Sequence, residues 1–415
     1  MSANVKKNSA GIWGALVAFA LLARYVYYAF AIIVFNNNSE STSGGLYSLF
    51  LTFFAGVCLL FFLRQLILKK EYIPHYTIIA VLLSLLLMLS LLMGQSNSVD
   101  DYNTLRYYAV MAFPLLLAGC SFGIEKDKEV FLFSFFRALI VVMILLTAAV
   151  VLYQLRNISV GWSSRDSSDI SYQTASYMGA LAFGLNCSSF CVKRRIFNSI
   201  FAFKLFTALR VILIPIQVIC VFISGGRGGA VLVLLFGIIS ILALIKGHKG
   251  KLKILGIIAT VVLLGLLVMS ILSADQIENS VGLQRILSFR DNRSYLYDDA
   301  ISLFLEQPLF GYGTAGYFAL LGMYCHNFIL DVLLNWGLVL GTLFFCLVIW
   351  SYLRVWKFVS LNAPSVVLVF LALFSIVHLM VSSTYLVDSI FWFVLGTGVS
   401  LRSVKNDEVG RACRC

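Results

Sequence analysis

Apolar runs about as long as a bilayer is thick recur from one end of this 415-residue chain to the other. A helix of about 20 apolar residues crosses the hydrocarbon core, and in that medium only helices or closed barrels satisfy their own backbone. Runs at 11–35, 46–68, 76–94, 105–122, 130–155, 174–192, 211–224, 229–245, 254–272, 328–350, 365–382 and 386–401 meet the helical requirement. The seventh is short and has room to begin earlier, within 203–210. The chain is 60% hydrophobic and 12% charged, against about 25% charged in soluble domains. The expected fold is all-α: a single polytopic domain over 1–415, with about twelve transmembrane helices. Lys6 and Lys7 precede a segment too long for a signal peptide's apolar region, so that segment is expected to be the first span.

A net charge of +12 raises the question of nucleic acid, and its distribution answers it. With the N-terminus placed in the cytoplasm and the spans alternating, the clusters at Lys69–Lys70, Lys126 and Lys128, Lys193–Arg195, Lys246–Lys253 and Arg402–Arg414 all fall inside. Outside lie Arg106, Arg156, Arg165, Arg227, Arg285, Arg290 and Arg293. This is the positive-inside pattern. It implies both termini in the cytoplasm and no nucleic-acid partner. The outer cations are all arginine, whose planar fork suits phosphate or carboxylate. The nine cysteines are scattered through spans and make neither a disulfide framework nor a zinc spacing. Cys325 alone is expected to face outward.

The longest loop, 273–325, falls on the outer side, and long ordered loops are usually functional. Within it, 295–305 has helical spacing through Leu296, Ala300, Leu303 and Phe304; Asp291 or Asn292 can cap it and Pro308 ends it. Next comes Pro-Leu-Phe-Gly-Tyr-Gly-Thr-Ala-Gly-Tyr at 308–317. Its glycines permit tight turns or a close backbone approach to a ligand. On the inner side, 193–210 mixes aromatic, aliphatic and basic residues and suits an interfacial helix.

Candidate chemistry collects at the outer ends of spans. His326 enters the tenth span and His378 lies near the end of the eleventh. Histidine is the side chain best suited to move a proton near neutral pH, although a histidine so placed is, taken alone, more often packed or interfacial than catalytic. A Ser-Gly-Gly-Arg-Gly-Gly-Ala turn at 224–230 presents Arg227 at the outer surface, either to phosphate or as a snorkelling side chain. Arg24, Arg137, Asp331 and Asp388 fall within spans, where an ion costs at least ~2.5–3.5 kcal/mol and usually has a partner or a purpose.

Three pieces taken in order carry a resemblance: the turn at 224–230, the stretch from Arg293 to Tyr317 with Pro308 fifteen residues after Arg293, and His-Asn-Phe-Ile-Leu-Asp-Val-Leu-Leu-Asn-Trp-Gly at 326–337. Together they resemble the O-antigen ligase and polymerase superfamily of bacterial polysaccharide assembly. The resemblance implies an inner-membrane glycosyltransferase with its site facing the periplasm. Its donor would be an undecaprenyl-diphosphate-linked glycan, and its acceptor a second glycan or lipid A-core. Membrane lipids surround it, other polysaccharide-assembly proteins are conceivable partners, and neither cofactor nor metal is expected. His326 would deprotonate the acceptor hydroxyl, while Arg227 and Arg293, assisted by Arg285, would hold the donor diphosphate. The spacing Gly337-Leu-Val-Leu-Gly341 has one residue more than the ligase pattern and inclines the reading to a polymerase, with a ligase as the alternative. A lipid-linked oligosaccharide flippase is the alternative from another class; it would call for a midplane charge pathway and inverted repeats, and no internal repeat is visible.

Overall fold

The computed structural model describes residues 3–35, 45–68, 75–93, 99–157, 171–192, 199–247, 294–360 and 363–401. These residues are all-helical, without strands. In chain order the helices are α1 (Ala3–Leu21), α2 (Ala23–Val34), α3 (Gly45–Leu68), α4 (His75–Met93), α5 (Val99–Tyr107), α6 (Phe113–Ile124), α7 (Lys128–Asn157), α8 (Tyr172–Cys191), α9 (Ile200–Ser224) and α10 (Arg227–Gly247). After the undescribed stretch come α11 (Ser294–Glu306), α12 (Phe318–Leu321), α13 (Phe328–Phe358), α14 (Val367–Val381) and α15 (Ser389–Ser400). Six of the helical segments are long and apolar enough to cross a membrane, or up to seven if the bent α1–α2 pair counts as one span. The expected run 254–272 lies outside the described residues; each of the other expected runs coincides with helix, some of them shorter than a span.

Apolar side chains cover the outside as well as the core, as a lipid-facing bundle requires. On α3, Leu49, Phe53, Leu60 and Ile67 form one exposed stripe. In the interior, α15 packs on α6 and α13, α7 packs on α1, and α8 sits against α7, α9 and α10. Where α15 crosses α6, Gly119 and Gly396 have no side chains to keep the two backbones apart, as small residues do in membrane bundles. At the end opposite the cavity described below, Arg64 of α3 bridges to buried Glu125 (3.1 Å) and Gln65 donates to the same carboxylate.

Three departures from regular helix shape this bundle. The first expected span breaks at Leu22, where α1 and α2 meet at 69°. The Leu21 carbonyl accepts from the Ser389 hydroxyl at 3.0 Å. Between α5 and α6 a π-turn runs over Tyr108–Ala112. Pro114 follows it; a proline offers no N–H and its ring crowds the carbonyl four residues back, and a π-turn relieves both.

The third break is in α13, at Gly337 (φ 64°). There the loop segment and the opened helix exchange backbone hydrogen bonds. Tyr312 N donates to Leu334 O (2.8 Å) and Gly313 N to Asn335 O (2.9 Å), while Leu338 N donates to Pro308 O (2.8 Å) and Val339 N to Leu309 O (3.2 Å). A Cβ on Gly337 would fall 2.3 Å from the Leu309 carbonyl carbon, and one on Gly311 (φ 65°) 2.5 Å from Leu334 O. The close approach expected of the 308–317 glycines is thus, at Gly311, an approach to the chain's own backbone.

One smaller expectation is corrected. From Ser199, which caps α9 by accepting from Ala202 N, the stretch expected to form a separate interfacial helix is the start of α9 itself. Its Arg210 is buried, donates to Ser189 O at 2.8 Å and lies over the Phe190 ring; residues 193–198 lie outside the described set. Cys325, at the end of the long loop, is fully buried within the protein, and burial pushes its thiol up to about 12.

Candidate functional site

A cavity of about 820 Å³ opens among five segments. Its walls are Arg24, Tyr25 and Tyr28 of α2, then Asn103, Thr104 and Tyr107 of α5. Gln173, Thr174 and Tyr177 come from the first turns of α8. Phe318, Met323 and Tyr324 follow α11, and His378 to Val387 complete the ring. Apart from Arg24 and its neighbours inside the first span, these segments lie in or beside the loops that the charge pattern assigns to the outer side. The lining is rich in hydroxyls, amides and aromatic faces. Small-molecule sites are concave in this way, with convergent polar groups.

His326 stands one ring behind this wall. Its ring lies on that of Tyr324 with centroids 4.3 Å apart, and the Tyr324 hydroxyl donates to Ser382 O at 3.4 Å. The local sequence explains its pose. Asn327 caps α13 by accepting from Ile329 N (3.0 Å) and Leu330 N (3.2 Å), so the helix cannot begin earlier. His326 itself takes a left-handed backbone, φ 55°. A non-glycine residue is rarely found there, and such strain collects at functional sites.

A buried polar network fixes the loop beneath. Tyr317 donates to Asp331 Oδ1 at 2.6 Å, and Asn335 Nδ2 reaches the same oxygen at 3.1 Å and the Tyr385 hydroxyl at 3.1 Å. Asn335 Oδ1 accepts from Ala315 N at 2.7 Å, and Cys325 N donates to the Tyr317 hydroxyl at 3.3 Å. Asp331, flagged from sequence as an ion within a span, thereby joins α13 to the loop that precedes His326. The whole set is excluded from solvent, where a lost partner is costly.

Arg227 opens α10 and is half-buried. Its turn presses on the start of α8: a Cβ on Gly228 would stand 2.0 Å from the Tyr177 hydroxyl, and Ser176 donates to Gly226 O at 3.2 Å. Since Tyr177 lines the cavity, the turn that carries Arg227 backs the α8 wall, as His326 backs Tyr324. Arg285 and Arg293 lie outside the described residues; α11 begins at the residue after Arg293.

Sequence reasoning left His378 and Arg24 without roles, yet both line the cavity. His378 Nδ1 lies 2.8 Å from Asp388 Oδ2, and its ring meets Tyr177 edge-on at 4.6 Å. Asp388 Oδ1 caps α15 by accepting from Phe391 N at 2.7 Å. Their only signal in the sequence was an ionisable group inside a span. Among the described residues no group of His, Cys, Asp and Glu has the arrangement of a metal site.

An all-helical bundle with helices long and apolar enough to cross a membrane has the architecture of a multi-pass membrane protein. Residues 211–346 match the family model described as O-antigen ligase, so this part of the chain is similar to that family. The matched stretch runs from α9 into α13 and contains the Arg227 turn, the 308–317 element, His326 and Gly337. No curated protein and no solved structure matches the chain.

Proposed function

We propose that this protein polymerises undecaprenyl-diphosphate-linked oligosaccharide repeat units into surface polysaccharide at the outer face of a bacterial inner membrane. The observation that carries this reading is the cavity flanked on one side by the Arg227 turn and on another by His326 and Tyr324. In the proposed reaction His326 takes the proton of the acceptor sugar hydroxyl. The freed oxygen pair bonds to the donor's anomeric carbon, and that carbon's bond to the diphosphate oxygen breaks. Undecaprenyl diphosphate leaves with the electron pair. Arg227 and Arg293, with Arg285 assisting, hold the diphosphate and stabilise its growing charge. A positioned base contributes ~10²–10⁴-fold, and alignment of two bound substrates contributes further. The scheme uses no metal. Both termini are placed in the cytoplasm, by the charge distribution.

The spacing from Gly337 to Gly341 supports the polymerase over the ligase. The test is reconstitution of the purified chain with lipid-linked repeat units alone, followed by gel or mass analysis of the lipid fraction. A ladder of lengthening lipid-linked chains is expected. Elongation that begins only when lipid A-core is added, and then as a single transfer, would replace the polymerase with the ligase.

A further inference from the structure

Arg24 is not used by the scheme above, and its placement calls for one. It lies two residues after the break at Leu22, on the first turn of α2, and it lines the cavity. Its Nε donates to the Tyr28 hydroxyl at 3.1 Å, and its guanidinium carbon lies 5.5 Å from the centre of that ring. Among the described residues, none of its partners is a carboxylate. Asp388, which directly follows the lining residue Val387, is engaged by His378 and by the Phe391 amide. A cation within a spanning segment is normally answered by an anion or by a polar pathway. Broken membrane helices characteristically turn such a half-helix start toward anionic substrate groups. The rest of the wall suits a saccharide: Asn103, Thr104, Gln173 and Thr174 offer amides and hydroxyls, and Tyr107 and Tyr177 add aromatic surface.

We infer that Arg24 forms an anion subsite in this cavity that receives the carboxylate of an acidic sugar in the glycan. The planar guanidinium can take both carboxylate oxygens at once, while neighbouring hydroxyls and amides hold the sugar's own hydroxyls. The inference rests on reading the cavity as glycan-binding. It adds that the preferred glycan carries negative charge on its sugars, apart from the diphosphate assigned to Arg227 and Arg293.

The experiment uses the detergent-solubilised full chain and follows its thermal unfolding against rising glucuronate, glucose or pyrophosphate at matched ionic strength. Glucuronate should act at concentrations at least about tenfold below glucose, as a charge-assisted bidentate contact allows. Arg24→Gln should bring the two sugars to within about twofold, and Arg24→Lys should keep part of the preference. The inference is overturned if glucuronate and glucose act alike on the wild type, or if the preference survives Arg24→Gln. It is equally overturned if Arg24-dependent stabilisation appears with pyrophosphate alone, which would assign Arg24 to the lipid carrier. A wild-type chain that shows no sugar preference yet yields an intact polymer ladder overturns this inference only. Absence of any ladder with the preference intact overturns the transferase reading only.

Discussion

Asp388 serves two helices with its two oxygens: Oδ2 lies 2.8 Å from His378 Nδ1 at the end of α14, and Oδ1 accepts the Phe391 amide that starts α15. Asn can replace the cap but not the charge facing the imidazole, and Ala replaces neither. Asp388→Asn is therefore expected to melt close to the wild type. Asp388→Ala should lose about 1 kcal/mol from the cap alone. Thermal unfolding in detergent checks the order.

If His326 is the base, His326→Ala leaves the protein inserted and abundant while glycan transfer falls ~10²–10⁴-fold. His378→Ala should cost less. Initial rates from the reconstituted assay, normalised to folded protein, decide it; a larger loss at His378 would transfer the role of base to the histidine that lines the cavity.

The arginine fork, rather than its charge alone, is expected to matter at the diphosphate. Arg227→Lys and Arg293→Lys should each restore only part of the transfer that Ala removes. Unimpaired transfer by Arg293→Ala would sever the fifteen-residue spacing from function.

Gly311→Ala and Gly337→Ala each combine a left-handed backbone with a collision, and each should destabilise by at least about 2 kcal/mol. Gly313 (φ 81°) has nothing within 4 Å of its would-be Cβ. Gly313→Ala therefore meets only the backbone cost, about 1–2 kcal/mol. Chemical or thermal unfolding of the three variants should give that ranking.

Glu125 supplies an acid-sensitive brace. Burial opposes its carboxylate, but hydrogen bonds from Gln65, the Asp127 amide and Arg64 outweigh burial and hold it below the ordinary glutamate range. A lowered folded value means stability that is present above about pH 4.3 and disappears as pH falls through the folded value. The gap in melting temperature between wild type and Glu125→Gln should therefore be widest near neutrality and shrink in acid.

The helices were legible because lipid demands apolar length, a property of consecutive residues. Gly311 was legible as a tight position, and its partner was not, since the backbone it meets belongs to Leu334 and Asn335 across a loop. His326 and Arg227 could be singled out because short sequence patterns surround them. The association of His378 with Asp388 and Tyr177 could not, because its members come from α14, α15 and α8 and no spacing relates them. The break at Leu22 was equally silent: neither glycine nor proline marks it, and its freed carbonyl is answered by Ser389 at the far end of the chain.

The exchange between the 308–313 segment and α13 is made of main-chain groups, so it registers length more strictly than chemistry. Pro308, Leu309, Tyr312 and Gly313 each meet a set partner on the helix. An added or deleted residue between 308 and 313 would slide those pairs out of phase and carry Gly311 away from the gap at Gly337. None of the residues in these pairings lies between 273 and 293, so the same change there would leave the exchange in phase. Length is therefore held most strictly between 308 and 313, where the loop is tied residue by residue to the helix that follows it.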